Sequence, residues 1–524
     1  MTEIVDLDAG TVFVGGGAEN YAIPQQLLMK YANRHGLIAG ATGTGKTVTL
    51  QTLAESFSRA GVPVFMADVK GDLAGISQAG RADGPLAESF GKRATQIGIT
   101  LDYQSFPVTF WDIWGERGHP VRTTLAEMGP LLLSRLMGLT DAQEGVLNIA
   151  FRVADEEGLA LLDMKDLQSM LVWVGQNAKD LSLKYGNVST ASVGAIQRAL
   201  LVLENEGGTF LFGEPALELS DMMRLDASGK GVVNILSAER LMNSPRLYAT
   251  FLLWLMSELF EQLPEVGDPD KPRIAFFFDE AHLLFDDAPP ALIAKIEQVA
   301  RLIRSKGVSL WFISQNPADL PESVLGQLGN RVQHALRAFT AKDQKALRLA
   351  AENYRANPAF DTAEAIQAVG TGEAVTSLLE TKGVPGMVQR TLIRPPLAQL
   401  GPIPDDARAA MIAASPMGLK YGKTLDRESA SELLAKRAEK ATEELATSDA
   451  KESDADLWKV EPEHKRGRRY DPAIQIRDEE KPAPRASNRD SIASAFGKSL
   501  ARQLGTRTGQ ALVRGVLGSL FRGK

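Results

Sequence analysis

Short, uncharged and mainly apolar runs alternate with helix-length segments through much of the chain. Runs of only four or five residues are typical of strands that are buried on both faces of a sheet. The clearest of them lie at residues 64–67, 232–236, 274–278 and 309–313. Strands and helices in this alternation predict an α/β fold, in which helices cover both faces of a central, mostly parallel sheet.

Weaker strand patterns are expected to extend this sheet. Residues 11–14 predict an early strand that the glycines at 15–17 end. Further strands are predicted at 332–336, 373–377 and 387–392. The pair Pro395 and Pro396 is expected to close the domain.

The pattern changes in three other parts of the chain. Residues from about 120 to 225 are rich in Leu, Met and Ala, which predicts a helical subdomain inserted into the sheet domain. Residues 448–490 have the Ser, Asp, Glu, Lys and Pro content of a disordered linker. The last segment contains no acids and has apolar residues at every fourth position, which predicts a basic amphipathic helical tail. The predicted organisation is a short lead-in at 1–35, the sheet domain at 36–400, a helical extension at 401–447, the linker at 448–490 and the tail at 491–524.

Composition excludes several classes of protein. A chain of 524 residues, 44% of them hydrophobic, can bury a large core, and the lack of cysteine excludes disulfides and thiolate chemistry. No secretory signal is visible, and no uncharged apolar run reaches the roughly 18 residues that span a bilayer. A cytoplasmic location is therefore expected. The net charge of −7 argues against a generic polyanion binder, although clustered acids at 443–456 leave the sheet domain closer to neutral.

The most specific chemical motif spans residues 40–47, directly after the apolar run 37–39. It reads Gly-Ala-Thr-Gly-Thr-Gly-Lys-Thr, which is a complete phosphate-binding loop. The glycines let backbone N–H groups face the phosphates, Lys46 can reach the β- and γ-phosphates, and the Thr47 hydroxyl can bind Mg²⁺. Helical sequence after the motif places a helix N-terminus against the anion. The residues predicted to bind nucleotide are Gly40, Ala41, Thr42, Gly43, Thr44, Gly45, Lys46, Thr47 and Val48.

A pair of acids follows the predicted strand at 274–278. In phosphate-loop enzymes the first acid of such a pair holds Mg²⁺, and the second can polarise the attacking water. Asp279 fits the metal role and Glu280 fits the catalytic role.

Polar residues after two other strands have less specific meanings. Gln315 could sense the γ-phosphate or orient water, or it could simply precede the turn at Asn316. The segment 68–72, Asp-Val-Lys-Gly-Asp, could touch nucleotide or a neighbouring subunit, or form a charged turn. Arg304 and Arg331 are candidates for an arginine finger, against the alternative that each is simply solvated.

Together these motifs resemble those of the HerA and FtsK group of ring ATPases, and are most similar to bacterial HerA-like proteins of the YjgR type. The resemblance covers residues 10–400. It is carried by the phosphate loop together with residues 33–36, 68–72, 212–215, 278–282 and 314–317.

The resemblance implies a RecA-like P-loop NTPase fold, ATP with Mg²⁺ as ligands, a hexameric ring and translocation of DNA. Lys46 and Thr47 match the phosphate and metal ligands, Asp279 and Glu280 match the metal and catalytic acids, and Gln315 matches the sensor. Arg304 or Arg331 would be the finger given to a neighbouring subunit. A nuclease partner is not expected, because about 35 residues before the loop are too few for the N-terminal β-barrel with which archaeal HerA docks its nuclease.

Two other readings of the same chain stay open. The basic apolar tail at 491–524 could lie on an anionic membrane surface, which would suit a motor or switch that acts on protein there. The tail could equally pack on another subunit, hold DNA or be disordered. A non-hydrolytic nucleotide-binding scaffold is the third class, against which the presence of Glu280 argues.

Overall fold

The computed structural model describes residues 2–285, 290–338 and 340–456 of the chain. Within this part of the chain, the strands join in a single sheet of thirteen. In chain order they are β1 (Val5–Asp6), β2 (Thr11–Gly17), β3 (Ile23–Leu28), β4 (Gly36–Ala39), β5 (Val64–Asp68), β6 (Val108–Asp112), β7 (His119–Pro120), β8 (Val233–Ser237), β9 (Ile274–Phe278), β10 (Val308–Ser314), β11 (Asn330–Gln333), β12 (Glu373–Ser377) and β13 (Gln389–Ile393).

Helices connect the strands and continue after the last of them. Among the described residues, none of the helices is both long and apolar enough to cross a membrane. In chain order they are α1 (Lys46–Arg59), α2 (Ala87–Gln96), α3 (Leu125–Leu136), α4 (Asp141–Glu156), α5 (Met164–Gln176), α6 (Ala178–Tyr185), α7 (Thr190–Leu203), α8 (Thr209–Leu211), α9 (Leu219–Met222), α10 (Pro245–Gln262), α11 (Pro290–Leu302), α12 (Glu322–Leu325), α13 (Ala341–Glu352), α14 (Thr362–Ala368), α15 (Asp405–Ala414), α16 (Met417–Tyr421) and α17 (Ala430–Asp456).

The strand order is β1-β2-β13-β12-β11-β4-β10-β9-β5-β8-β6-β7, and β3 also pairs with β2. From β11 to β7 in this order every neighbouring pair is parallel. The pairs from β11 back to β1, and the pair of β2 with β3, are antiparallel. The predicted α/β fold with a mostly parallel central sheet is confirmed.

Four neighbouring parallel strands, β4, β10, β9 and β5, bring their carboxyl ends to one edge of the sheet. Ser314 pairs with Ala39, and Phe278 lies level with Phe312 on one side and Ala67 on the other. Ligands bind at this edge of parallel sheets, outside the carboxyl ends of the strands. The segments that follow these four strands are therefore the ones placed to form a site.

Aromatic packing fixes helix α1 against two of these strands. The Phe57 ring on α1 lies 6.1 Å from Phe277 of β9 and 6.4 Å from Trp311 of β10, measured between ring centroids. Phe277 and Trp311 also stack on each other at 6.0 Å. All three side chains are at most 1% exposed. Because interiors are close-packed, this cluster holds the last turn of α1 against β9 and β10.

The three glycines at 15–17 continue β2 instead of ending it, which corrects the sequence prediction. They pair with β13 on one side and β3 on the other. A Cβ atom at Gly15 would lie 2.2 Å from the Leu392 carbonyl oxygen, and one at Gly16 would lie 2.1 Å from the Tyr21 carbonyl oxygen. At Gly15 and Gly16 the neighbouring backbone approaches too closely for any side chain.

The described chain forms two compact units. One contains the whole sheet and comprises Met1–Glu144, Leu162–Met164 and Arg198–Asp426, whereas the other is helical and comprises Gly145–Leu161, Lys165–Gln197 and the described part of Arg427–Lys524. The helical unit therefore takes only the middle of the range 120–225 that was predicted as an insertion, and α17 joins it. Leu147, Leu167 and Leu171 are fully buried in this unit.

Helix α17 runs to Asp456, so residues 448–456, which were predicted to begin a linker, are helical. The rest of the predicted linker, at 457–490, and the predicted tail, at 491–524, lie outside the described residues.

A buried ion pair joins α1 to the chain that follows β13. Arg394 and Glu55 are 1% exposed or less, and the Arg394 Nη1 lies 3.2 Å from the Glu55 Oε2. Glu55 also accepts the backbone N–H groups of Leu397 and Ala398, while Arg394 donates to the Ser56 hydroxyl. Burying such charges is tolerated only when they are paired and hydrogen-bonded in this way.

Removing one partner of this pair should be strongly destabilising. We expect Arg394→Ala to lower the free energy of unfolding by about 3–5 kcal/mol, because Glu55 is left buried without its counter-charge. Urea denaturation followed by circular dichroism measures this. Arg81→Ala is the matched control, since its pair with Asp83 is exposed to solvent, and it should leave the unfolding midpoint unchanged. Similar curves for both variants would contradict the role given to Arg394.

Candidate active site

The segment between β4 and α1 has the backbone geometry of a phosphate cradle. Gly40, Gly43 and Gly45 have φ angles of 150°, 77° and 116°, which side-chain-bearing residues rarely adopt. A Cβ atom at Gly40 would also lie 2.5 Å from the Cβ of His334. The N–H groups in the first turn of α1 lack acceptors within the helix, so an anion placed in the loop would satisfy them.

Lys46 lies at the start of α1 and is only 7% exposed. Its ammonium group donates hydrogen bonds to the carbonyl oxygens of Gly40, at 2.6 Å, and Ala41, at 3.2 Å. Burial lowers the pKa of Lys46, and the nearby charge of Lys70 lowers it further. Lys46 thus folds back onto its own loop. A bound phosphate would compete with the two carbonyl oxygens for the ammonium group, and its stronger charge favours the phosphate.

A buried histidine packs against the phosphate loop and the first turn of α1. His334 is fully buried, its Nε2 lies 2.8 Å from the Thr49 hydroxyl of α1, and its Nδ1 lies 2.9 Å from the Glu373 carbonyl oxygen. Burial lowers its pKa to about 4, so the ring is neutral at neutral pH. This role could not be predicted from the sequence, because a lone histidine beside an apolar run resembles an ordinary core residue.

The two acids directly follow β9 and are both 5% exposed. Burial raises the pKa of Asp279 to about 6, against the opposing charge of Lys70. Burial also acts to raise the pKa of Glu280, but the hydrogen bond and charge of Lys70 outweigh it, so that this pKa is lowered. Glu280 has a left-handed backbone with φ 47°, a strained conformation that is often found at functional sites.

Lys70 is the partner of these acids. Its ammonium group lies 2.6 Å from the Glu280 Oε1 and 4.0 Å from the Asp279 Oδ2. The turn that carries it is held by Asp68, whose carboxylate accepts the backbone N–H groups of Gly71, Asp72 and Leu73. The segment 68–72, whose role the sequence left open, therefore brings a cation to the acid pair.

Gln315 is exposed at the carboxyl end of β10, between the phosphate loop and the acids. The preceding residue, Ser314, accepts the Gly40 N–H through its carbonyl oxygen at 3.3 Å. Asn316 caps a short turn that begins at Pro317. Gln315 thus lies beside the loop and at the start of a turn, so both of its predicted roles fit the structure and its sensor role stays a prediction.

The two finger candidates are engaged within their own chain. Arg304 pairs with Asp268 at 3.1 Å and lies before β10, at the end of the sheet opposite the phosphate loop. Arg331 donates to three backbone carbonyl oxygens, those of Leu325, Leu328 and Asn353. Either guanidinium group would have to leave these partners to serve a neighbouring subunit, and the choice between them stays a prediction.

The side chains at this edge of the sheet suit Mg²⁺. This ion prefers oxygen ligands, and Thr47 offers a hydroxyl while Asp279 offers a carboxylate. One Asp279 oxygen accepts the Glu280 N–H at 3.0 Å. The other lies 4.0 Å from the Lys70 ammonium, beyond hydrogen-bonding distance, which leaves it available to a cation.

A phosphate loop after one parallel strand and an acid pair after another, separated by a single strand, define the class of P-loop NTPases. The profile of the family described as "Helicase HerA-like C-terminal" matches residues 16–524. The chain belongs to this family. The resemblance to the HerA and FtsK group is thereby confirmed.

Solved structures with similar folds share little sequence with the chain. Plasmid coupling protein TrwB, in complex with the non-hydrolysable GTP analogue GDPNP, is 14% identical over 76% of this chain and 94% of its own, with a TM-score of 0.48. VirB4 of Thermoanaerobacter pseudethanolicus is 17% identical over 73% and 96%, with a TM-score of 0.47. A search of curated protein sequences gives no significant match. The family assignment rests on the profile match.

The buried state of His334 predicts a pH effect on stability. An unfolded histidine titrates near pH 6.5, whereas His334 in the fold titrates near 4, so protons favour the unfolded chain between these values. The stability that neutral His334 contributes is complete above pH 6.5 and is lost as the pH falls towards 4. We expect His334→Gln, which cannot titrate, to lose about 2 kcal/mol less stability than the natural protein between pH 7.5 and 5.

Urea denaturation of both proteins at the two pH values checks this. His35, which is also buried with a pKa lowered to about 4, is present in both proteins, so its contribution cancels in the comparison. Equal losses of stability would show that His334 does not titrate in this way.

Proposed function

We propose that this protein is an ATP hydrolase that uses Mg²⁺ and drives the movement of DNA as a ring-forming motor. One observation carries the hydrolase part of the proposal: the phosphate loop and the acid pair leave the same edge of the sheet, separated only by β10. A triphosphate seated in the loop would extend from Lys46 towards Asp279 and Glu280.

The proposed reaction uses each of these residues in turn. The loop N–H groups and Lys46 bind the β- and γ-phosphates and offset their charge. Glu280 is ionised and lies where it can accept a proton from the attacking water, as the new P–O bond forms and the bond to ADP breaks. The products are ADP and inorganic phosphate.

Thr47 and Asp279 would hold the metal ion in this scheme. When bound there, Mg²⁺ would neutralise negative charge that develops on the phosphates. Thr47 lies on α1 and Asp279 follows β9, and the cluster of Phe57, Phe277 and Trp311 packs these two elements together.

DNA as the track, the hexameric ring and the cytoplasmic location are proposals that rest on the family. A family described as helicase-like supports nucleic acid as the partner. A ring needs few basic residues per subunit, because symmetry multiplies each of them around the pore. The residues before the phosphate loop form β1, β2, β3 and β4 of the main sheet.

Changing the proposed base should separate binding from hydrolysis. We expect Glu280→Gln to keep Mg·ATP bound and to lower turnover at least about 100-fold, because the amide cannot accept the proton. Phosphate release measures turnover, and a fluorescent ATP analogue measures binding. Glu88→Gln, on the exposed face of α2, is the matched control and should hydrolyse ATP at the natural rate. Undiminished turnover in Glu280→Gln would show that another group is the base.

DNA should stimulate the purified protein if it is the track. We expect ATP turnover to rise when DNA is added, and this rise to shrink steeply with added salt, since phosphate contacts release counterions. Phosphate release at several salt concentrations, with single- and double-stranded DNA, measures it. An ATP turnover rate that no form of DNA changes would reject this part of the proposal. It would favour a motor that acts on protein at a membrane surface.

A further inference from the structure

Lys70 has no part in the reaction described above, yet it makes the shortest contact with the proposed base. We propose that Lys70 senses the γ-phosphate: it pairs with Glu280 while that phosphate is absent and moves to the phosphate when ATP binds. The inference rests on the proposed hydrolase function and adds a residue to the same site.

The charges at the site make such a transfer favourable. Lys46 and Lys70 are close enough for their ammonium groups to repel each other, and Asp279 and Glu280 lie within the electrostatic range of both. Without nucleotide, the two ammonium groups lie among three carboxylates, because Asp72 also acts on Lys70 and Asp279. A γ-phosphate brings further negative charge to this edge of the sheet, so it attracts the Lys70 ammonium group in addition to that of Lys46.

The geometry allows the Lys70 side chain to move while its backbone stays in place. The Asp68 carboxylate holds the turn through three backbone N–H groups, and Gly71, with φ 73°, completes it. The Lys70 side chain itself is 42% exposed. The long, flexible Lys70 side chain can therefore exchange one anion for another while the backbone of the turn stays in place.

This exchange would couple the arrival of ATP to the release of the base. A carboxylate that is bound to an ammonium group at 2.6 Å is a poorer proton acceptor than a free one. Once Lys70 turns to the γ-phosphate, Glu280 is free to polarise water. ADP lacks that phosphate, so with ADP in the site Lys70 stays paired with Glu280.

The test compares ATP and ADP affinities in Lys70 variants. We expect Lys70→Ala to weaken binding of the slowly hydrolysed β,γ-imido analogue of ATP roughly five- to tenfold in the presence of Mg²⁺, and to change ADP affinity less than twofold. Lys70→Arg, which keeps the charge, should restore most of the discrimination. Lys92→Ala, which breaks the exposed pair with Glu88, is the matched control and should change neither affinity.

A double-mutant cycle with Glu280→Gln distinguishes sensing from simple ion pairing. Glu280→Gln releases Lys70, so it should tighten binding of the analogue more in the natural background than in Lys70→Ala, and should show no such coupling for ADP. Equal weakening of both nucleotides by Lys70→Ala, or no weakening, would overturn the inference. If the natural protein binds neither nucleotide, the proposed function fails instead.

Discussion

Two ammonium groups and two buried carboxylates meet at one edge of a parallel sheet, and this electrostatic arrangement is the constraint on which the site depends. Lys46, Lys70, Asp279 and Glu280 follow β4, β5 and β9, which are parallel strands within four adjacent positions of the sheet. None of these charges could be buried alone at acceptable cost. Phe57 packs α1, which carries Lys46, against β9, which precedes the two acids.

The strands and the phosphate loop could be predicted from the sequence because their signals are local. A buried strand such as β9 is a continuous apolar run, and the loop is a fixed spacing of residue types. The prediction that the glycines at 15–17 end β2 was wrong. Their pairing with β13 and β3 depends on distant segments, so it cannot be read from this segment alone. The strand predicted at 332–336 is found as β11, Asn330–Gln333, since the chain beyond it supports the phosphate loop instead, with Ala335 accepting the Ala41 N–H.

The contacts of the site that join distant segments could not be predicted, because no local pattern in the sequence specifies them. The contact between Lys70 and Glu280 joins residues far apart in sequence, and nothing in either segment specifies the other. The hydrogen bond between His334 and Thr49 also joins residues that are far apart in sequence. The acid pair and Lys46 were predicted because each belongs to a recognisable motif, whereas their supporting residues are defined only by the fold.

In the proposed function, one metal–nucleotide complex is held between the phosphate loop and the acid pair. Electron paramagnetic resonance with Mn²⁺ in place of Mg²⁺ tests it most directly, because free and bound Mn²⁺ give distinct spectra. We expect one tightly bound Mn²⁺ per chain only when ATP is present, and loss of this binding in both Thr47→Ala and Asp279→Asn. Binding of Mn²⁺ that persists in both variants, or that needs no nucleotide, would contradict it.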